Sequence, residues 1–270
     1  MDWRKKLDAI TDQNKSLLCV GLDTDLGKLP KFLVETSTNP LFDFNRAIID
    51  ATKDLVCAYK LNMAFYEAVG PTGIMVLEKT IKYIPHEIFI ILDGKRNDIG
   101  NSARKYAQSL FEAFHADAVT INPYLGRDGI NPFLDYKDKC SFILCRTSNP
   151  SARDFQDLMV SSTPLYQIVA QKIREWDTNN NCGAVVGATY PEELKIVRTI
   201  LGERIPILIP GIGKQGGDIK KTVRSGINSK KTMALINSSR EILFAGDKED
   251  FAEHSRRKAE MVRNEINNYR

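Results

Sequence analysis

The feature that most constrains the fold of this chain is a series of eight short apolar runs, spread along almost its whole length. Each run is followed by polar sequence that contains Gly or Asn. Strands buried on both faces of a parallel sheet read as continuous apolar stretches and not as alternating residues. We therefore predict eight parallel strands. They cover Leu17–Gly21, Leu55–Lys60, Ile88–Asp93, Ala118–Asn122, Ser141–Arg146, Gly183–Gly187, Ile205–Pro210 and Thr232–Asn237.

Helical patterns occupy most of the intervals between these runs. The first follows Asn39-Pro40, residues that commonly begin a helix, and the second ends before Pro85. Strands that alternate with helices indicate parallel βαβ units, and eight units without a break in composition favour a closed (β/α)8 TIM barrel over an open doubly wound sheet. We expect a single domain, residues 1–270, with additional helices at its N-terminus and C-terminus. The predicted helices are Phe42–Lys53, Gly73–Tyr83, Ala103–His115, Leu165–Glu175, Pro191–Leu201 and Phe251–Asn267.

Composition narrows the range of partners. The chain has 270 residues, of which 43% are hydrophobic and 27% are charged, a balance that argues against a disordered protein or a coiled coil. Lys and Arg number 38 against 34 Asp and Glu, which gives a net charge of only +4. We therefore expect neither a nucleic acid nor a membrane as partner, whereas a small anionic ligand fits this charge.

The five cysteines predict a reducing environment. Their number is odd, no two have C-x-x-C spacing, and we expect buried free thiols and no zinc site. The N-terminal residues are polar, unlike a signal peptide, and no apolar run approaches the about 20 residues that span a bilayer. We therefore expect a cytoplasmic protein. The cysteines are Cys19, Cys57, Cys140, Cys145 and Cys182.

Polar and charged residues follow the predicted strands at the points where these end. Active sites of such barrels lie at the carboxyl ends of the strands. Burying polar or charged groups without partners is costly, so these residues require an explanation. They are Asp23, Lys60, Asp93, Lys95, Asn122, Thr147, Ser148, Thr189, the segment 210–217, Ser238, Ser239 and Arg240.

The third strand ends in the most informative charged segment, residues 92–100 (LDGKRNDIG). Asp93 and Lys95 are two residues apart and should share one side of the strand, while Asp98 follows where the chain has left it. Lys60, at the end of the second strand, adds another cation. Two cations and two anions should therefore meet at one end of the barrel. A structural ion-pair network is the alternative that this pattern alone leaves open.

A glycine-rich segment follows the seventh run, at residues 210–217 (PGIGKQGG). Glycines allow backbone N–H groups to converge on an anion, and the loops after strands 7 and 8 are the common phosphate site of these barrels. Gly211, Gly213 and Gly216 also satisfy the G-x-G-x-x-G pattern of dinucleotide sites. That interpretation is disfavoured, because the segment lies far from a first βαβ unit and no acid follows about 20 residues later.

The motifs at these strand ends resemble one family. The segment DGKRNDIGNSA (93–103) resembles the signature of orotidine 5′-phosphate decarboxylase, and the TINPYLG segment (120–126) resembles the larger bacterial-type branch of that family. The other motifs occur in the order that the family has. They are GLD at 21–23, YKLN at 59–62, AFYE at 64–67, TSNP at 147–150, PGIGKQGGD at 210–218 and NSSREI at 237–242.

The resemblance implies decarboxylation of orotidine 5′-phosphate to uridine 5′-phosphate, the last step of de novo pyrimidine nucleotide synthesis, without a metal or organic cofactor. It implies that Lys95 protonates C6 of the pyrimidine and that Asp93 lies beside the departing carboxylate. Lys60 and Asp98 would complete the charge array and contact the ribose. In the family the residue matching Asp98 enters the site of the neighbouring subunit, so a homodimer is implied.

The resemblance also implies a set of substrate-binding residues. Asp23 matches a ribose contact and Ser148 a pyrimidine contact, and hydrogen bonding to loop backbone groups is the alternative role of both. Ser102 lies where the family often has Thr at the ribose, although a helix cap is its alternative role. Gln215 and Arg240 match residues that bind the phosphate, and Gln215 also matches a base contact. The phosphate end is completed by Gly211, Gly213 and Ser239.

Two other functions remain open from the sequence. Related phosphate-binding barrels share the D-x-K-x-x-D pattern but use Mg²⁺ to stabilise an enediolate, and they need a further acidic ligand at an earlier strand end. Lys60 and Asn62 occupy the corresponding strand end here. A nucleotide-binding barrel without catalytic activity is the other alternative, although the intact charge pattern argues against it.

Overall fold

Eight parallel strands close into a barrel in the computed structural model, which describes residues 2–213 and 216–270. Neighbouring strands follow chain order, and the last strand pairs with the first. The predicted (β/α)8 TIM barrel is therefore confirmed. The barrel strands are β1 (Leu18–Gly21), β2 (Ala58–Asn62), β3 (Phe89–Arg96), β4 (Ala118–Ile121), β5 (Cys140–Arg146), β8 (Cys182–Val186), β9 (Ile207–Pro210) and β10 (Ala234–Ser238).

A small hairpin lies outside the barrel. Its strands, β6 (Met159–Val160) and β7 (Thr163–Pro164), are antiparallel and fall between β5 and the next barrel strand. The sequence analysis did not predict this hairpin. Strands of two residues carry too little periodicity to be recognised.

Helices pack around the outside of the barrel, and further helices precede its first strand and follow its last strand. They are α1 (Trp3–Asn14), α2 (Lys31–Thr36), α3 (Pro40–Thr52), α4 (Met63–Glu67), α5 (Pro71–Tyr83), α6 (Gly100–Gln108), α7 (Arg127–Leu134), α8 (Leu165–Trp176), α9 (Pro191–Leu201), α10 (Ile219–Gly226), α11 (Arg240–Leu243) and α12 (Phe251–Tyr269). Among the described residues, no helix is long and apolar enough to cross a membrane.

The helix boundaries test two sequence signals. Asn39 caps α3, because its side chain accepts a hydrogen bond from Phe42 N, and Pro40 is the first helical residue. Helix α6, in contrast, begins at Gly100 after Ile99, so Ser102 lies inside its first turn. The alternative role of Ser102 as a helix cap is therefore wrong. The positive φ of 53° at Gly100 allows the chain to turn into α6 earlier than expected.

The core lies inside the barrel and between the barrel and its helices. Nearly every strand residue is buried, which explains why the strands read as continuous apolar runs. All five cysteines are buried and free, as predicted. Packing inside the barrel is close: a Cβ atom at Gly183 of β8 would lie 2.5 Å from the ring of Phe142 on the adjacent β5. A glycine is therefore required beside this aromatic ring.

We expect Gly183→Ala to lower the free energy of unfolding by about 1–3 kcal/mol, because the added methyl group overpacks the barrel against Phe142. Urea denaturation followed by circular dichroism measures the change. Gly27→Ala is the control, since a Cβ there meets nothing closer than 3.4 Å. Equal stability of the Gly183 variant and the control would contradict the expectation.

Candidate active site

The carboxyl ends of the strands line a cavity of about 570 Å³. Most of the residues singled out from the sequence meet there: Asp23, Lys60, Asp93, Lys95, Ser148, Gly211, Ser239 and Arg240 all line it. Asp98, Ser102 and Gly213 are not among the lining residues. Gln215 lies outside the residues that the structure describes.

Four charged side chains alternate along one wall of the cavity. Lys60 Nζ lies 3.4 Å from Asp23 Oδ1 and 2.9 Å from Asp93 Oδ2. Lys95 Nζ lies 2.7 Å from Asp93 Oδ1. The order is therefore Asp23, Lys60, Asp93, Lys95. Within one chain the second anion is Asp23 and not Asp98, whose side chain lies outside the cavity lining.

Burial and pairing together determine the charges in this array. Burial by itself would raise the pKa of Asp93, but the ammonium groups of Lys60 and Lys95 hold this pKa well below its ordinary value. Burial would lower the pKa of Lys60, but Asp23 and Asp93 raise it above its ordinary value. Both groups are therefore charged at neutral pH. Lys95 differs from Lys60 in exposure: 47% of its side chain is exposed, against 4%.

A bulge in β3 directs the second lysine into the cavity. The register with β4 pairs Leu92 with Val119 and Arg96 with Ile121, so four steps along β3 match only two along β4. Lys95 lies within this bulge and has a φ of 47°, which is unusual for a residue other than glycine. Asp93 and Lys95 share the cavity as expected, but the bulge places them there and not the regular alternation of a strand.

Asp23 is supported by a buried network below the end of β1. The Tyr66 hydroxyl donates to Leu22 O at 3.1 Å, and Asn45 Nδ2 donates to that hydroxyl at 3.1 Å. Thr24 Oγ1 donates to Asn45 Oδ1 at 2.6 Å. These contacts fix the backbone on both sides of Asp23. They give the AFYE segment, which contains Tyr66, a physical role.

A fully buried arginine fixes the segment that carries Ser148. The Arg146 guanidinium lies 4.0 Å from the centre of the Tyr190 ring and donates to Gln156 Oε1 at 3.2 Å. The same oxygen accepts a hydrogen bond from Thr147 N at 2.8 Å. Sequence reasoning missed Arg146 and Gln156 as supporting residues. The only signal was an arginine at the last position of an apolar strand.

The part of the cavity where the sequence predicted phosphate binding contains an acid, Glu241, that was not predicted. Gly211 and Gly213 have φ values of 100° and 79°, a conformation that favours glycine. A Cβ atom at Gly213 would lie 1.8 Å from Glu241 Oε2, so this position also has no space for a side chain. Glu241 lines the cavity next to Arg240 and forms an ion pair with Lys258 of α12. The charge of Glu241 is thereby balanced by Lys258.

Asp98 and Ser102 lie on the rim outside the cavity. Asp98 Oδ1 accepts a hydrogen bond from Ile99 N at 2.7 Å, and Ser102 is exposed on α6. Apolar side chains at this rim are exposed as well, with Ile99 at 59% and Tyr124 at 82%. A Cβ atom at Gly129 would touch both Asp98 O and Leu125 Cβ, which places the 122–126 segment against this loop.

Comparison with known proteins shows similarity over the whole chain. Residues 16–254 match the model of the orotidine 5′-phosphate decarboxylase / HUMPS family. The orotidine 5′-phosphate decarboxylase of Ralstonia nicotianae is 47% identical over 275 residues, covering 100% of both chains. The solved OMP decarboxylase of Leishmania donovani is 35% identical with a TM-score of 0.87, covering 100% of this chain and 98% of that one. The UMP synthase of L. donovani is 36% identical with a TM-score of 0.89, and there the match covers 56% of that chain.

We expect Asp93→Asn to lower the free energy of unfolding at pH 7 by about 3 kcal/mol, because buried Lys60 would then have only the more distant Asp23 as a counter-ion. The pKa of Asp93 is lower in the folded protein than its ordinary value of 3.8, so its contribution is complete at neutral pH. That contribution begins to be lost as the pH falls below about 4 and decreases further as the pH approaches the lower pKa of the folded state. The difference between wild type and variant should therefore shrink in acid.

Urea denaturation at pH 7, 5 and 3.5 measures this difference. A difference that stays constant between pH 7 and pH 3.5 would show that Asp93 is not held ionised by its neighbours. Asp128→Asn, an exposed aspartate at the start of α7, is the control and should leave the pH dependence unchanged.

Proposed function

Because the chain belongs to the orotidine 5′-phosphate decarboxylase family and decarboxylates orotidine 5′-phosphate to uridine 5′-phosphate, we propose that Lys60, Asp93 and Lys95 carry the reaction. The observation that supports this assignment is the position of two lysines on either side of one buried carboxylate, at 2.9 Å and 2.7 Å. The array lines the cavity at the carboxyl ends of the strands, where barrels of this type place their chemistry.

Lys95 is the proton donor in this proposal. When the bond from C6 to the carboxylate breaks, CO₂ leaves and the electron pair stays on C6 in the plane of the ring, where the π system cannot delocalise it. A fixed ammonium group stabilises this carbanion and then donates a proton from Nζ to C6. The half-exposed side chain of Lys95 suits this role, since its ammonium group faces the cavity and regains a proton from solvent after turnover.

Asp93 acts on the other side of the same bond. Held ionised by two ammonium groups, it repels the substrate carboxylate but not the neutral CO₂ that this carboxylate becomes. Lys60 keeps Asp93 in place and, with Asp23, presents polar atoms to the ribose hydroxyls. The charges that favour reaction are therefore positioned before substrate arrives.

The remaining residues bind the two ends of the substrate. Ser148 contacts the pyrimidine, and its segment is fixed by Arg146 and Gln156. Gly211, Ser239 and Arg240 bind the phosphate, since they line the far end of the cavity after β9 and β10. Gly213 and Gln215 belong to the same loop, although Gln215 lies outside the described residues. Phosphate binding and closure of this loop would assemble the site and exclude water.

The active unit in this proposal is a homodimer in which Asp98 and Ser102 complete the partner's cavity. Both residues lie at the rim and not in their own cavity. Ile99 follows Asp98 in the chain, Leu125 packs near the same loop, and both are exposed together with Tyr124. Apolar side chains of this size favour a protein interface over contact with water. A symmetric pair of such rims is the interface that would bring each Asp98 to the other site.

The chemistry of the donor set favours the decarboxylase over the magnesium-dependent alternative. The carboxylates of Asp23 and Asp93 face each other, but the Lys60 ammonium lies between them and contacts both. Among the described residues, no group of three or more His, Cys, Asp or Glu could hold a metal ion.

The cell compartment that we propose is the cytoplasm, because the five cysteines are buried free thiols, which persist in a reducing environment.

We expect Lys95→Ala to reduce kcat by at least about 10³-fold, because it removes both the proton donor and a fixed charge at the carbanion. The loss of absorbance of orotidine 5′-phosphate measures turnover, in buffer treated with EDTA. Lys172→Ala, at an exposed lysine of α8, is the control and should keep wild-type activity. Wild-type turnover that disappears with EDTA and returns with Mg²⁺ would contradict the metal-free mechanism, in which Lys95 and Asp93 alone supply the charges.

We expect a mixture of Lys95→Ala and Asp98→Asn subunits to regain activity, because a mixed dimer would contain one intact site. Random exchange at equal concentrations should restore about a quarter of wild-type activity, since half of the dimers are mixed and each has one intact site. Mixing Lys95→Ala with Asp93→Asn is the control, because those two residues belong to the same site and no intact site forms. Recovery in neither mixture would contradict the shared site.

A further inference from the structure

A single hydroxyl joins the two residues at the centre of the array. Thr120 Oγ1 accepts a hydrogen bond from Lys95 N at 3.0 Å and donates one to Asp93 Oδ1 at 2.8 Å. Thr120 is 1% exposed and lines the cavity at the middle of β4. The other residues of that strand, Ala118, Val119 and Ile121, are apolar. We therefore relate the hydroxyl in this otherwise apolar strand to the two groups that it contacts, Lys95 N and Asp93 Oδ1.

The bulge in β3 creates the need for this hydroxyl. Between Leu92 and Arg96 the strand leaves its register with β4, and the ladder resumes where Asn122 N donates to Arg96 O at 3.1 Å. Within that interval the N–H group of Lys95 points at a side chain and not at a backbone carbonyl. A buried N–H group without a partner would be costly, so the threonine replaces the missing ladder contact.

The contacts form a closed ring around Lys95. Its backbone N–H donates to Thr120 Oγ1, that hydroxyl donates to Asp93 Oδ1, and the same oxygen accepts from Lys95 Nζ at 2.7 Å. The Lys95 ammonium group therefore contacts Asp93 Oδ1 directly, and the Lys95 backbone N–H group is linked to the same oxygen through the Thr120 hydroxyl. The other oxygen, Oδ2, is taken by Lys60 at 2.9 Å. Removing the hydroxyl would free the backbone at the bulge and allow the carboxylate to rotate.

We propose that Thr120 is a positioning residue of the decarboxylation: through its hydroxyl it fixes the Lys95 ammonium and the Asp93 carboxylate relative to each other. This inference rests on the proposed roles of those two residues. Thr120 transfers no proton and holds no charge. Its effect is on the reacting geometry, where a displacement of about 1 Å can cost as much as 10²-fold in rate.

The test compares Thr120→Val with Thr120→Ser. Valine keeps the shape but removes the hydroxyl, so kcat should fall by about 10–100-fold. Serine retains the hydroxyl, so its kcat should stay within about threefold of wild type. The affinity for uridine 5′-phosphate, measured by calorimetry, should change by less than about threefold in both variants, because the product lacks the carboxylate that Asp93 and Lys95 act on.

Thr52→Val is the matched control. Thr52 is also buried, and its hydroxyl lies 2.6 Å from the Tyr59 hydroxyl, outside the cavity. This variant should lose stability in urea denaturation while keeping wild-type kcat. A structural role for Thr120 alone would give the same result for Thr120→Val. Should the valine variant fail to fold, Thr120→Cys provides a weaker hydrogen-bonding group of similar size and should give a kcat between those of serine and valine.

Two results would overturn the proposal: a kcat of Thr120→Val within about threefold of wild type, or equal losses in the serine and valine variants. The Lys95→Ala variant distinguishes a failure of this proposal from a failure of the proposed function. If Lys95→Ala abolishes turnover while Thr120→Val retains it, only the role of Thr120 fails. If Lys95→Ala retains turnover, the assignment of the proton donor fails first.

Discussion

The carboxylate of Asp93 is the group around which the site is arranged. It accepts hydrogen bonds from Lys60, Lys95 and Thr120, which come from three neighbouring strands of the barrel. An ionised carboxylate at this depth is stable only because these donors offset the cost of its burial. Each donor is in turn held by its strand, so the closed sheet fixes their distances. The electrostatic field that the proposed mechanism requires is therefore present before substrate binds.

Two irregular backbone segments place groups in the cavity in positions that regular strands would not allow. A regular strand would place Asp93 and Lys95 side by side but would leave no freedom to direct the lysine toward substrate. The bulge in β3 gives that freedom, and Thr120 limits it again. At the opposite end, Gly211 and Gly213 have positive φ, which allows their backbone to approach the position proposed for the phosphate. The barrel thus provides rigidity, while two short departures from regular geometry position the groups that we propose for catalysis and for phosphate binding.

Much of this arrangement was predictable from the sequence, because strands buried on both faces leave a simple apolar signal. The same signal located Lys60, Asp93 and Lys95 at strand ends. It could not show that Asp23 takes the fourth place of the array within one chain, since that depends on the register between β1 and β2. Thr120 was hidden inside an apolar run, where one hydroxyl changes the pattern little. Glu241 was overlooked because its role depends on contacts with Gly213 and Lys258, which are distant in sequence.

The backbone of Lys95 has a consequence beyond the reaction. With a φ of 47° the position suits glycine better than any residue with a side chain, so the lysine is kept at some expense of stability. Replacement of Lys95 by glycine would remove this strain as well as a charge, whereas any residue with a Cβ atom would keep the strain. Inactive subunits with glycine at this position should therefore pass cellular quality control, which clears proteins according to how often they unfold. A mutation of this kind would therefore abolish activity while the protein remains abundant and folded, and not by causing its degradation.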